Sequence, residues 1–203
     1  MSQYHKTKSL IKLNDWNDAM FSSLCSGLLT ILGWKIDGQL DKTRPCVIIV
    51  GPHTSNWDFI IGIIARSALG TKIHFLGKHQ LFIPPWGWMF RAIGGSPVNR
   101  SKYNNLVDGV VLLFQQDPLY KLALAPEGTR SPVTRWKSGF YHIAAKANVD
   151  IVPIGLDFGR KAIVIAKPLK PSGEIEAEIN QLMDFYRSIK GVHPKVIPDY
   201  QQK

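Results

Sequence analysis

The chain has 203 residues, the length of one domain or of a tight pair of domains. Hydrophobic residues make up 45% and charged residues 20%, which excludes a disordered or fibrous chain, and two cysteines (Cys25 and Cys46) exclude a disulfide framework. Lys and Arg outnumber Asp and Glu by 25 to 15, and the net charge of +10 predicts an anionic partner, such as nucleic acid, an acidic protein or a lipid surface.

The first predicted element is a helix over residues 19–34, a stretch without charged side chains. Its length corresponds to about 24 Å of helix, which is shorter than the roughly 30 Å hydrocarbon core of a bilayer. Apolar residues recur at helical spacing, among them Met20, Leu24 and Leu28, with serines between them. Two roles fit such a helix, since it can cover the protein core or lie in a membrane interface.

Beyond residue 40, short apolar runs alternate with stretches of helical periodicity. The predicted strands are residues 47–50, 72–76, 122–125, 151–156 and 162–166. The predicted helices are residues 57–69, 104–116, 137–147 and 173–190. The alternation predicts an α/β fold, with a central mostly parallel or mixed sheet flanked by helices and an N-terminal amphipathic helical segment.

No internal repeat or Gly/Ser linker divides the sequence, so we expect a single domain over residues 1–203. Within it, residues 1–40 form the N-terminal helical segment, residues 45–170 the core with the candidate site, and residues 171–203 a C-terminal helix and tail. Chemistry in such sheets collects where strands end and loops lead into helices.

The first such loop contains His53, followed five residues later by Asp58. Ser55 and Asp58 have the spacing of a capping box, which predicts a helix that begins just after Ser55. With His53 in the loop before that helix, the chain can fold back so that Asp58 fixes the imidazole tautomer. No G-x-S-x-G nucleophile is present, so a base at His53 would activate an external hydroxyl. The alternative is that Asp58 only caps the helix.

The second loop, residues 126–131, offers hydrogen-bonding and cationic groups directly after a predicted strand. Gly128 permits a tight turn, Thr129 and Arg130 suit a phosphate monoester, and Glu127 either holds Arg130 or binds a substrate hydroxyl. A third loop, predicted over residues 94–101, ends near Arg100, and two arginines on separate loops would clamp a doubly charged phosphate. The alternative for both loops is an ordinary surface turn.

Four blocks follow one another along the chain: His53-x4-Asp58, Val98-Asn99-Arg100, Pro126-Glu127-Gly128-Thr129-Arg130-Ser131 and Val152-Pro153-Ile154. In this order they resemble the blocks of the glycerolipid acyltransferases, and most of all those of the bacterial 1-acylglycerol-3-phosphate acyltransferase family. The resemblance extends over roughly residues 45–157, and its departures include Pro52, Asn99 and Ala125.

The resemblance implies an O-acyltransferase in which His53, oriented by Asp58, removes the proton of a lysophospholipid hydroxyl that then attacks a thioester. It also implies that Arg100, Glu127, Gly128, Thr129 and Arg130 bind the acceptor's polar head, with no metal and no bound cofactor. The co-substrate would be acyl-coenzyme A or acyl carrier protein. We expect a cytoplasmic protein that is peripheral or monotopic at the inner face of an anionic membrane.

Two other classes remain as alternatives. A basic, aromatic domain fits a nucleic-acid-binding or other non-catalytic module, but the cations are scattered and no RNP, zinc-finger or helix-turn-helix signature is present, so no nucleic-acid partner is expected. A metallohydrolase is disfavoured because His53 and Asp58 lack an H-E-x-x-H partner.

Overall fold

The computed structural model describes residues 20–85, 87–98 and 103–201 and contains a seven-stranded sheet. The strands are β1 (Lys35–Asp37), β2 (Cys46–Gly51), β3 (His74–Lys78), β4 (Gly95–Val98), β5 (Lys121–Leu124), β6 (Asp150–Asp157) and β7 (Ala162–Ile165). Their order across the sheet is β1-β7-β6-β2-β5-β3-β4. Neighbouring strands are parallel except for β6 and β7, which pair antiparallel, so the sheet is mixed as predicted.

Strand β2 lies at the centre of the sheet because both of its faces are apolar. Val47 and Ile49 are fully buried on one face, and Ile48 is buried on the other. Covering both faces of a strand requires a layer of helices on each side, which is why the chain alternates strands and helices.

Within the described part of the chain, six helices supply those two layers. They are α1 (residues 20–31), α2 (Asn56–Ala68), α3 (Gly87–Ala92), α4 (Tyr103–Gln116), α5 (Gly139–Ala147) and α6 (Ile175–Arg187), and a 3-10 turn occupies His79–Phe82. Helices α4, α5 and α6 bury side chains in one core cluster, and α1 and α2 bury theirs in the cluster on the opposite face. Helix α3 lies next to α2, with the rings of Phe90 and Phe59 5.8 Å apart.

The five predicted strands and the helices around them are confirmed, with shifts of a few residues at their ends. Two strands are additions. The predicted loop over residues 94–101 is wrong for Gly95–Val98, which forms β4 and pairs with β3. Strand β4 contains Pro97 and lies at the sheet edge, where a residue without a backbone N–H is tolerated. Strand β1 has only three residues, all exposed, and therefore lacks an apolar pattern.

Helix α1 is confirmed over its described residues and uses only a narrow side for core packing. Leu29 is 2% exposed and shares a cluster with Ile61 and Ala65 of α2, while the Ser22 hydroxyl donates to the Ala68 carbonyl. Several large apolar side chains of α1 and of the residue after it are exposed: Met20, Phe21, Leu24, Leu28, Ile31 and Leu32. Among the described helices, none has the length and apolar character needed to span a bilayer.

Candidate active site

The first and second predicted loops leave the sheet side by side. Strands β2 and β5 are parallel neighbours, with Cys46 opposite Lys121 and Ile49 opposite Leu124. The His53 loop (residues 52–55) follows β2, and the Glu127 loop (residues 125–131) follows β5. Because parallel neighbours end at the same edge, two segments more than 70 residues apart in sequence meet at the carboxyl edge of the sheet, as expected for this architecture.

The start of α2 fixes the position of Asp58. Ser55 is the N-cap, its hydroxyl accepts from the Trp57 N–H at 3.3 Å, and the predicted capping box with Asp58 is present. Oδ2 of Asp58 accepts from the backbone N–H groups of Thr54, at 2.5 Å, and Ser55, at 2.7 Å. The carboxylate is therefore held rigidly at the helix N-terminus, where the helix dipole favours a negative charge.

His53 faces this carboxylate. Its Nδ1 lies 3.1 Å from Oδ2 of Asp58, and the imidazole is 26% exposed whereas the carboxylate is 4% exposed. One oxygen thus serves both roles considered for Asp58, since it caps the helix and contacts the imidazole. A neutral ring whose Nδ1 carries the proton toward Asp58 leaves Nε2 as its acceptor atom. A base of this kind can receive a proton from a hydroxyl at the opening of the site.

The Glu127 loop is a tight turn that exposes its last residues. Gly128 has φ of 66°, the left-handed conformation allowed for glycine, and its N–H donates to the Ala125 carbonyl at 3.1 Å. The Thr129 hydroxyl accepts from the Ser131 N–H at 3.3 Å. Thr129 and Arg130 are exposed, so their side chains are accessible to an anionic ligand.

Glu127, by contrast, is turned into the protein. Its side chain is 0% exposed; Oε1 accepts from the His53 N–H at 3.0 Å, and Oε2 is bonded to the ammonium group of Lys195. Both carboxylate oxygens are therefore engaged by protein groups, and the partner of Glu127 is Lys195 rather than Arg130. The geometry makes Glu127 a link between the two loops.

Of the predicted site residues, His53, Asp58, Glu127, Gly128, Thr129 and Arg130 are brought to one edge of the sheet. Arg100 lies outside the described residues, so the predicted arginine clamp stays a prediction. Strand β4, which precedes it, is parallel to β3 and runs toward the same edge of the sheet.

An apolar pocket of about 220 Å³ extends from His53 between α2 and the sheet. Among the described residues that line it, those with ionisable side chains are His53, Asp58 and Arg66. Arg66 donates to the Ile93 carbonyl, and burial lowers its pKa from the usual arginine value. The apolar lining includes Ile48, Val50, Phe59, Ile63, Phe75 and Leu156.

Three residues that support the site were not predicted from the sequence. Lys195 binds Glu127, the Thr54 hydroxyl accepts from the Val192 N–H at 3.0 Å, and the buried Tyr186 hydroxyl donates to the Ile49 carbonyl at 2.5 Å. Burial raises the pKa of Tyr186 well above its usual range, so the phenol stays a neutral donor. Each contact joins the C-terminal part of the chain to β2 or to one of the two loops, and no local sequence pattern predicts it.

Within the described ranges, no group of three or more His, Cys, Asp or Glu side chains is arranged to hold a metal ion. Among the described residues, the polar side chains accessible at this edge of the sheet include the His53 imidazole, Thr129 and Arg130.

Comparison with protein families gives a direct match over the region just described. Residues 36–157, more than half of the chain, match the family model described as Acyltransferase. The match contains both the His53 loop and the Glu127 loop.

The relatives found among curated proteins carry one name, 1-acyl-sn-glycerol-3-phosphate acyltransferase. The protein of Streptococcus pneumoniae (strain ATCC BAA-255 / R6) is 26% identical over 163 residues, which cover 76% of this chain and 59% of that protein. A chloroplastic protein of Brassica napus is 33% identical over 120 residues, 55% of this chain and 33% of that protein. A chloroplastic protein of Arabidopsis thaliana is 29% identical over 180 residues, 75% of this chain and 50% of that protein. The chain thus spans between a third and three fifths of these relatives.

Among solved structures, the fold is similar to that of the 1-acyl-sn-glycerophosphate acyltransferase PlsC from Thermotoga maritima. The TM-score is 0.53 and the sequence identity 19%, and the match covers 84% of this chain and 76% of that chain. The two chains share the α/β architecture described above.

Proposed function

We propose that this chain, which belongs to the Acyltransferase family, moves a fatty acyl group from a thioester to the hydroxyl of a lysophospholipid such as 1-acylglycerol 3-phosphate. The observation that carries the proposal is the pairing of His53 Nδ1 with the buried Asp58, 3.1 Å away, where the apolar pocket begins. A base beside an apolar cavity suits a reaction between a lipid hydroxyl and a fatty acyl thioester.

In the proposed mechanism, Nε2 of His53 takes the proton of the acceptor hydroxyl while the oxygen attacks the thioester carbonyl carbon. The tetrahedral intermediate collapses by breaking the carbon–sulfur bond, and the imidazolium returns the proton to the departing thiolate. Asp58 stabilises the imidazolium between these two steps. A general base of this kind contributes a factor of about 10²–10⁴, and alignment of the two substrates by the site supplies the remainder.

The pocket next to His53 is the proposed site of the acyl chain. It is apolar over most of its lining and reaches inward between α2 and the sheet, so burial of each methylene in it is favourable by about 0.8 kcal/mol. The thioester carbonyl would then lie at the open end, beside the imidazole.

The proposed acceptor site is the exposed end of the Glu127 loop. Arg130 offers a guanidinium fork that matches a phosphate monoester, and Thr129 offers a hydroxyl. Arg100 is the proposed second cation. The polar head held here would present its free hydroxyl to His53, because both loops leave the sheet at one edge.

We place the protein peripherally on an anionic membrane surface, at its cytoplasmic face. Support comes from the net charge of +10 and from the exposed apolar side chains of α1. Trp57 and Ile60, 58% and 44% exposed, add apolar side chains at the surface of α2, the helix that follows His53. Electrostatic attraction and shallow apolar insertion together give stable but reversible binding.

The test is an acyl-transfer assay with purified protein, a panel of lysophospholipids and labelled acyl-coenzyme A or acyl carrier protein. We expect one lysolipid to be acylated, and the variant His53→Ala to lose at least about 10²-fold in kcat. The matched control is His142→Ala, which removes an exposed histidine of α5. Turnover by His53→Ala close to that of the wild type would contradict the assignment of the base.

A further inference from the structure

The chain after α6 returns to the candidate site. Its path is fixed at several points of the C-terminal segment (residues 188–201): Val192 N–H donates to the Thr54 hydroxyl, and Tyr200 forms two backbone hydrogen bonds with the Asn180 side chain, at 2.8 and 3.1 Å. Ile197 and Tyr200 are buried in the core cluster. This segment therefore has a defined place against the His53 loop.

Lys195 extends from this segment into the space between the two loops. Its side chain is 3% exposed, and its ammonium group contacts the carboxylate of Glu127 and three carbonyl oxygens. The carbonyls are those of His53 at 2.9 Å, Thr129 at 3.2 Å and Arg130 at 3.4 Å. An ammonium has three N–H donors and is strongly disfavoured in a dry site without such acceptors, so these four oxygens together hold it in place.

The contacts converge on the backbone of the residues to which the reaction is assigned. The N–H of His53 is held by Glu127 and its carbonyl by Lys195, so the peptide groups on both sides of the proposed base are tied to one buried ion pair. The same ammonium holds the carbonyls of Thr129 and Arg130, the proposed head-group residues. Moving the ammonium would therefore move the base relative to the head-group site.

We propose that Lys195 is a positioning residue that sets the distance between the base and the acceptor's head group in acyl transfer. The effect of Lys195 on catalysis rests on the proposed function. The positioning role is independent of the family match, because Lys195 lies beyond residues 36–157. Lys195 acts through the backbones of the two loops and touches neither substrate.

The first test separates positioning from charge balance. Lys195→Met leaves the carboxylate of Glu127 buried without its cation. A loss of activity in this variant alone would therefore not distinguish lost positioning of the loops from the unpaired buried charge. The double variant Glu127→Gln/Lys195→Met removes both charges and should regain thermal stability relative to Lys195→Met. Its kcat/KM for the acceptor should stay on the order of 10²-fold below wild type, with the donor KM within threefold, because the three carbonyls have lost their shared donor. Wild-type kcat/KM in the double variant would overturn the proposal.

The second test needs no substrate. Amide hydrogen exchange of the full chain should speed up at least about tenfold in peptides covering residues 51–58 and 126–137 in both Lys195 variants. The control Lys190→Met removes an exposed lysine of the same segment and should leave exchange and turnover unchanged. Unaltered exchange in the two peptides would overturn the positioning role even if no acyl transfer is found. Absence of transfer by the wild type would contradict the proposed function alone.

Discussion

Enlarging Gly62 tests whether the pocket beside His53 holds the acyl chain. Gly62 is in the middle of α2 and lines the pocket, and a Cβ placed on it would meet no atom of another part of the described chain within 4 Å. The first side-chain carbon of Gly62→Leu therefore lies in open space at the wall of the cavity. The substitution also favours the helix, because leucine has a higher helix propensity than glycine by nearly 1 kcal/mol.

The size of the effect follows from the volume that is lost. The cavity measures about 220 Å³, and the leucine side chain brings four carbon atoms into it. If about three methylenes of the acyl chain lose their place, binding weakens by about 2.4 kcal/mol, or about 60-fold in kcat/KM. Chains too short to reach Gly62 should react at the wild-type rate, so the preferred chain length should shift downward.

The assay is competition among saturated acyl-coenzyme A donors of increasing chain length, with products resolved by mass. Gly109→Leu is the matched control, because Gly109 is an exposed helical glycine of α4 on the opposite face of the sheet, also with open space around it. An unchanged chain-length profile in Gly62→Leu, or an equal shift in Gly109→Leu, would refute the placement of the acyl chain.

Two further predictions concern the head group and the membrane. Arg130→Ala should raise the acceptor KM about 10–100-fold, the usual cost of losing a hydrogen bond from a charged group, with little change in the donor KM. The control Arg135→Ala removes another exposed arginine and should leave the acceptor KM unchanged. An increase confined to the donor KM would contradict the head-group assignment. The protein should sediment with anionic vesicles and be released by salt, and Leu24→Asn/Ile31→Asn on α1 should weaken this at least about tenfold. Leu112→Asn on α4 is the matched control, and binding indifferent to lipid charge would count against the proposed attachment.

The elements that support the site were predictable where the signal is local. The apolar run of β2 requires cover on both faces, and the capping box of Ser55 and Asp58, a pattern only four residues long, determines the start of α2. Gly128 can adopt the left-handed conformation of its turn because glycine has no Cβ atom. Strands β1 and β4 were missed because they form only as additions to the edges of an existing sheet, where neither an apolar pattern nor a full set of backbone donors is required.

The sequence by itself determined the α/β class, the order of the elements and the candidate residues His53, Asp58 and Arg130, because these depend on patterns a few residues long. Tertiary structure alone decided that Glu127 pairs with Lys195, 68 residues away, and that the ammonium of Lys195 joins the two loops. A buried charge pairs with an opposite charge that the fold brings close to it, and the spacing of residues along the sequence does not predict which one that is.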